Sequence, residues 1–214
     1  MPRDPNKSQD ASRRKDELRR QKQAPNPLLR SGIPGGFAQT RSWPLYEIYL
    51  AQEWDQEGGL AGALVARRSP QGKFAAGSVL VDLACLGVKS AHAAIFKTRQ
   101  DYEAKMRRRV LATQPMRPAD PNLVAKIIMV GMAYAAQFGF SPDPSYRQVM
   151  LLLHDADPDA CDVHVPTGGP EGKPFFVSGP YDNVPLILAR LTQAVGPGGF
   201  HYLVGLPGED GDFE

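Results

Sequence analysis

Gly77-Ser-Val-Leu-Val-Asp82-Leu-Ala-Cys85-Leu-Gly-Val-Lys89 is the stretch of sequence that decides the fold. It is almost continuously apolar and rich in branched side chains, which is typical of a β-strand buried on both faces. Asp82 lies in the middle of this run. A buried ionised carboxylate is costly unless it is paired or hydrogen-bonded. Asp82 is therefore expected to have a specific partner or a chemical role.

Two neighbouring segments extend this strand into a sheet. Residues 45–51 (LYEIYLA) and 61–68 (AGALVARR) are predicted as strands, and residues 73–84 form the third strand. The turn at residues 69–72 (SPQG) has the composition of a type I turn, so the second and third strands form a hairpin. A helix that begins after Ser42 is the alternative for the first segment, but the aromatic content there favours a strand. The sequence therefore predicts an antiparallel three-strand meander.

Helical patterns dominate the middle of the chain. Residues 90–111 place apolar side chains mostly on one face of a helix, and residues 121–138 form a second helix capped by Asp120. A short third helix is predicted at residues 146–153. The C-terminal third predicts strands at residues 163–166, 174–178 and 200–205, with a helix at residues 183–195. The expected fold class is α+β, with the meander followed by helices and a C-terminal strand-helix-strand unit.

Charge is distributed unevenly along the chain. The net charge is only +2 over 214 residues, yet residues 1–30 hold nine basic and four acidic side chains. These residues contain several prolines and few large apolar side chains, which is typical of a chain that cannot bury a core. We expect a flexible basic arm at residues 1–42, a single α+β domain at residues 43–206 and an acidic tail at residues 207–214.

The sequence favours a cytoplasmic protein that does not enter a membrane. The N-terminus has no apolar signal core, and no apolar run reaches the roughly 18 residues that a membrane span needs. Without export, Cys85 and Cys161 are expected to be reduced thiols.

Basic clusters support a leading hypothesis of non-enzymatic binding to RNA, DNA or a ribonucleoprotein. The basic residues are not interleaved with aromatic side chains in the arm, so stacking on bases is not indicated there. A solvated tail and a solvated helix end are the alternative interpretations of the same clusters. The predicted contacts to phosphate are Arg13, Arg14, Arg19 and Arg20 in the arm, Arg67 and Arg68 at the end of the second strand, and Arg107, Arg108 and Arg109 in the first long helix.

Two carboxylates support a second hypothesis, a metal-dependent nuclease or phosphoester hydrolase. Glu47 and Asp82 lie on strands of the same predicted meander, and ribonuclease-H-like enzymes hold two metal ions with acidic side chains from such a sheet. The competing interpretation is that Asp82 is structural and accepts hydrogen bonds from backbone amides, Arg67, Arg68 or Lys89. A third hypothesis is a structural module for binding another protein.

Other motifs do not predict a cofactor or a resident metal. Residues 168–173 (GGPEGK) lack the spacing of a phosphate-binding loop, and residues 155–162 lack the glycine and glutamate of a calcium loop. His154, Cys161 and His164 have no second pair of ligands, so a zinc site is not predicted. Cys85 is expected to be a core residue and not the nucleophile of a pair with His92.

Three segments are similar to ones in a family of small bacterial proteins of uncharacterised function. They are the Leu80-Val-Asp-Leu-Ala-Cys-Leu-Gly-Val-Lys89 string, the Gly172-Lys-Pro174 turn and the Ser178-Gly-Pro-Tyr-Asp182 turn. This resemblance implies no activity, cofactor or site.

Overall fold

The main element of the structure is a five-stranded antiparallel sheet. The computed structural model describes residues 35–56 and 59–204. Hairpins join the first four strands, and the fifth strand returns to pair with the first, so the order across the sheet is fourth, third, second, first, fifth. The strands are β1 (Leu45–Ala51), β2 (Leu60–Arg68), β3 (Phe74–Asp82), β4 (Gly87–Phe96) and β5 (Met116–Pro118).

A small second sheet and five α-helical elements complete the described part of the chain. Strands β6 (Phe175–Val177) and β7 (His201–Leu203) form a parallel pair. Helix α2 covers residues 99–111 and consists of a first turn, Arg99–Tyr102, a π-helical segment, Glu103–Arg107, and a last turn, Arg108–Leu111. The other helices are α1 (Gly35–Ala38), α3 (Pro121–Ala136), α4 (Tyr146–Leu152) and α5 (Val184–Val195). The α+β class is therefore as predicted.

The meander has four strands and not three, because residues 87–96 form β4. We predicted that residues 90–96 begin a helix, and that prediction is wrong. Val88, Ala91, Ala93 and Ile95 pack towards one core, whereas Phe96 packs into another, and the strand has a bulge next to its first residues. Alanine-rich segments favour helices locally, but pairing with β3 along its whole length overrides that preference. The helix starts only after Thr98, whose side chain caps it.

Two other boundaries also differ from the predicted ones. Residues 163–166 are not a strand, and the loop that follows them contains a short 3-10 turn, Pro170–Gly172. Residues 35–42, which we assigned to the arm, are helical, and Phe37 and Thr40 are buried in the domain. The remainder of the predicted arm and the acidic tail at residues 207–214 lie outside the described residues.

The sheet is covered on both faces. Helices α3 and α4 pack on one face and form the larger core, which includes Val65, Val81 and Ile127. Helix α2 packs on the other face, where Phe74, Tyr102 and Met106 form a second core. A third cluster joins the turn after β3 to α5 and β6. The candidate functional site lies on the side of the sheet that α2 covers.

The turn between β3 and β4 approaches α3 closely. Gly87 has a φ of +67°, a conformation that suits glycine, and a Cβ there would lie 2.9 Å from the carbonyl oxygen of Gly131. A Cβ on Gly131 would lie 2.5 Å from a methyl group of Val81. The two glycines therefore let the helix backbone rest directly on the hairpin.

Candidate nucleic-acid interface

Helix α2 and the residues just before it carry the largest local excess of positive charge in the domain. Residues 97–111 hold six basic and two acidic side chains, whereas the rest of residues 35–204 holds ten basic and thirteen acidic ones. The positive charge of the domain is thus concentrated on one element. The basic residues are Lys97, Arg99, Lys105, Arg107, Arg108 and Arg109.

The inner side of α2 is bound to the sheet by a polar network around Glu47. The hydroxyl of Tyr102 donates to Glu47 Oε1 at 2.5 Å, and Arg107 Nε donates to the same oxygen at 3.0 Å. A terminal nitrogen of Arg107 donates to the hydroxyl of Tyr49 at 3.1 Å. Burial and the hydrogen bond to Glu47 raise the pKa of Tyr102. Glu47 and Arg107, which we predicted as a catalytic acid and a phosphate contact, are therefore engaged in holding α2 on β1.

The outer side of α2 leaves two arginines without partners. Arg99 pairs with Glu103 and Lys105 pairs with Asp101, at 2.7 and 2.6 Å. Arg108 and Arg109 are exposed and form no hydrogen bond or ion pair with any residue that the structure describes. Their guanidinium groups are free to meet an anion from solution.

The two adjacent arginines of β2 have opposite environments. Arg67 is 2% exposed, donates to the carbonyl oxygens of Leu152 and Trp43 at 2.7 and 2.8 Å, and pairs with Asp155. It is a structural residue and cannot reach phosphate. Arg68 is exposed, and its guanidinium lies 5.7 Å from the centre of the Phe74 ring. Since Phe74 stacks on Tyr102 of α2, Arg68 lies on the same side of the sheet as the helix.

Three exposed arginines on the α2 side of the sheet therefore make up what we call the cationic face: Arg68, Arg108 and Arg109. All three are predicted phosphate contacts, whereas Lys105 is exposed on the same helix but is paired with Asp101. The predicted contacts in the arm, Arg13, Arg14, Arg19 and Arg20, lie outside the described residues.

Glu47 and Asp82 do not meet. Glu47 pairs with Ala66 and Ala66 pairs with Ala76, which precedes Asp82 by six residues along β3. At about 3.3 Å per residue, the two carboxylates are roughly 20 Å apart along the strands. Within the described ranges, no cluster of three or more His, Cys, Asp or Glu side chains is placed to hold a metal ion. The arrangement that a ribonuclease-H-like site requires is therefore not formed by this pair.

Asp82 anchors the turn that follows β3. Its Oδ1 accepts hydrogen bonds from the backbone amides of Ala84 and Cys85 at 2.9 and 3.0 Å. Burial raises the pKa of Asp82, while the charge of Lys89 and the backbone amides oppose that rise. The strand ends at Asp82 itself, and β4 begins after a four-residue turn, not a helix as we predicted. The backbone contacts agree with the structural interpretation of this residue.

Residues 80–89 contain this turn, and the segments at residues 172–174 and 178–182 lie beside it. The amide of Phe175 donates to the carbonyl oxygen of Ala84 at 3.0 Å, and Lys89 Nζ pairs with Asp182 at 2.8 Å. Burial and the nearby charge of Asp82 raise the pKa of the Cys85 thiol to about 12, so the thiol is a poor nucleophile. The segments form a junction between the hairpin and the C-terminal unit.

Two variants separate the charge of Asp82 from its role as an acceptor. Asparagine keeps an oxygen for the two amides, so Asp82→Asn is expected to change the free energy of unfolding by less than about 1 kcal/mol at neutral pH. Alanine leaves both amides without an acceptor, so Asp82→Ala is expected to cost about 2–4 kcal/mol in urea unfolding.

The pH dependence of these variants has a defined sign. Because burial raises the pKa of Asp82 above 3.8, the folded wild-type chain holds its proton to higher pH than the unfolded chain does. The stability of the wild type relative to Asp82→Asn should therefore fall as pH rises above that value. A relative stability that rises with pH, or equal costs for the two variants, would contradict this assignment.

No family model, curated protein or solved structure matches the chain. No helix in the described part of the chain is both long and apolar enough to cross a membrane.

Proposed function

We propose that this protein binds nucleic acid, and that the sugar-phosphate backbone lies on the cationic face. The observation that carries the proposal is the pair Arg108 and Arg109, exposed at the end of α2 without a partner among the described residues. Guanidinium groups bind phosphate oxygens through two parallel hydrogen bonds, which favours arginine at such contacts.

The basic arm adds to this electrostatic attraction. Residues 1–30 hold nine basic and four acidic side chains, so this segment and the cationic face attract the same class of polyanion. Neutralising phosphates releases counterions, which makes binding strongly dependent on salt. The arm and the face together support a polyanion as the partner, more than a small anion.

The proposal is of binding and not of catalysis, because the face offers cationic donors and no free carboxylate. The acidic side chains on α2 are Asp101 and Glu103, and each is already paired with a cation of the same helix. A hydrogen bond from Arg99 lowers the pKa of Glu103, so this carboxylate stays ionised and is not a general acid.

Salt dependence measured on the full chain tests the proposal. We would titrate a fluorescent single-stranded oligonucleotide with the protein at several salt concentrations and follow the anisotropy. A variant in which Arg13, Arg14, Arg19 and Arg20 are all replaced by alanine removes the predicted arm contacts. The three charges of the cationic face then predict a slope of log K against log salt of about −2.

Binding by the arm variant reports on the folded domain, because the predicted arm contacts have been removed. Retained binding with that slope supports the cationic face as an independent site. Loss of all binding in the arm variant, or binding that does not respond to salt, would contradict the proposal. The folded state of the variant is checked by its thermal unfolding transition.

A further inference from the structure

A groove lies on the sheet next to the C-terminal end of α2. Its volume is about 340 Å³, within the usual range of small-molecule sites. Strands β2, β3 and β4 form its floor, and the end of α2 and the following turn form one wall. Its apolar lining includes Leu60, Leu80 and Val110.

Polar groups without partners converge on this groove. The hydroxyls of Ser78 and Ser90 and the side-chain amide of Gln114 line it and form no hydrogen bond with any residue in the described ranges. Thr113, also in the lining, donates its hydroxyl hydrogen to the carbonyl oxygen of Val110 at 2.7 Å. An amide and two hydroxyls supply both donors and acceptors, while the groove lining contains no charged side chain.

A glycine in β2 makes room for the amide. A Cβ on Gly62 would lie 2.1 Å from Gln114 Nε2, a distance that atoms cannot adopt. Glycine at this strand position therefore lets the Gln114 side chain lie against the sheet. Glycine within a strand often marks the close approach of another group, and here that group is the amide.

The groove adjoins the free cations of α2. Val110 lines the groove and directly follows Arg109 in the chain. Since a helix rises about 1.5 Å per residue, the backbone of Arg108 and Arg109 lies within one turn of the groove wall. A ligand that fills the groove with a neutral, flat, hydrogen-bonding group can place an attached anion on these arginines.

We infer that the groove receives an unstacked base of a single-stranded nucleic acid whose phosphates lie on Arg108 and Arg109. A nucleobase is neutral, has apolar faces and carries donors and acceptors on its edge, which matches the apolar walls and the polar groups of the groove. A base inside a duplex is stacked and paired, so it cannot enter. This inference rests on the proposed function and specifies single strands as its ligand class.

Binding of the full chain to two oligonucleotides of equal length tests the inference. One is a single-stranded oligonucleotide, and the other carries abasic sites in place of its bases and has the same number of phosphates. We expect the oligonucleotide with bases to bind about fivefold more tightly, which is the net effect of one additional neutral hydrogen bond. A duplex of the same sequence is expected to bind more weakly than the single strand.

Two variants test whether the groove causes the tighter binding of the oligonucleotide that carries bases. Gln114→Ala removes the amide from a surface turn and is expected to reduce the difference between the two oligonucleotides, while affinity for the abasic one stays unchanged. Gly62→Ala displaces the amide and should act in the same direction. Ala133→Ser, an exposed substitution on α3, is the control and should leave the difference intact.

The outcomes distinguish this inference from the proposed function. Equal binding of both oligonucleotides, or a difference that Gln114→Ala leaves unchanged, would overturn the base site but leave the cationic face standing. If neither oligonucleotide binds at low salt, the proposed function fails and the inference fails with it. A stable fold in both variants is verified by thermal unfolding.

Discussion

Replacing Arg108 and Arg109 with glutamate is expected to weaken binding of single-stranded nucleic acid at least roughly 25-fold at about 0.1 M salt. Each charge that neutralises a phosphate contributes about 0.7 to the salt slope for a single strand, which is about fivefold in affinity between roughly 1 M and 0.1 M salt. The double reversal removes two such contacts, and the two new carboxylates repel phosphate in addition. Both side chains are exposed and unpaired among the described residues, so the fold should be unaffected.

A matched control tests whether the position of the reversed charges matters, or only the net charge of the protein. Arg41 and Arg147 are also exposed, and they lie on the α1 and α4 side of the domain. The double variant Arg41→Glu, Arg147→Glu carries the same total charge as the reversal on α2. Affinity is measured by anisotropy at fixed salt. Equal losses in the two double variants would show that net charge, and not the cationic face, determines binding.

Replacing Arg67 with alanine is expected to lower the free energy of unfolding by about 3 kcal/mol. The guanidinium is buried and donates to two backbone carbonyl oxygens, those of Trp43 and Leu152. Removing it leaves these oxygens without their donor and opens a cavity between β2 and α4. The pair with Asp155 contributes less, because the side chain of Asp155 is 55% exposed and stays hydrated.

Arg68, the neighbour of Arg67 on β2, provides the control for the Arg67→Ala experiment. Arg68→Ala removes an exposed side chain and is expected to change the stability by about 0.5 kcal/mol or less. For nucleic-acid affinity the expected order is reversed: Arg68→Ala weakens binding more than Arg67→Ala does, because only Arg68 belongs to the cationic face. Urea unfolding gives the stabilities and anisotropy gives the affinities. A large stability loss for Arg68→Ala, or a small one for Arg67→Ala, would contradict the assigned environments.

Elements with local sequence signals were the ones that could be predicted. The β2–β3 hairpin has a turn of defined composition, and α3 begins with the Asp120 cap and Pro121 where the sequence placed them. Strand β4 was mistaken for a helix because its alanines and sparse apolar pattern fit both the helical period of about 3.6 residues and the strand period of about 2 residues. Only pairing with β3 decides between them, and that pairing is a tertiary property.

The site depended on contacts between distant parts of the chain. Glu47 and Arg107 are 60 residues apart, and nothing in either local sequence indicates that they pair. The two arginines of β2 did carry a usable signal, because adjacent side chains of a strand point to opposite faces. Arg67 and Arg68 could therefore not both face the same phosphate backbone. The groove beside α2 combines residues from three strands and a turn, so it could not have been found from the sequence.

Chemical-shift mapping by NMR on the full chain tests the central claim most directly. Adding a single-stranded oligonucleotide at low salt is expected to shift the amides of residues 97–114 and the side-chain Nε–H signals of Arg108 and Arg109. The amides of Gly62, Ser78 and Ser90 should shift with them. Signals from α4, on the opposite face of the sheet, should stay in place. Shifts confined to the α3 and α4 face, or the absence of shifts at Arg108 and Arg109 when the oligonucleotide is bound, would contradict the account.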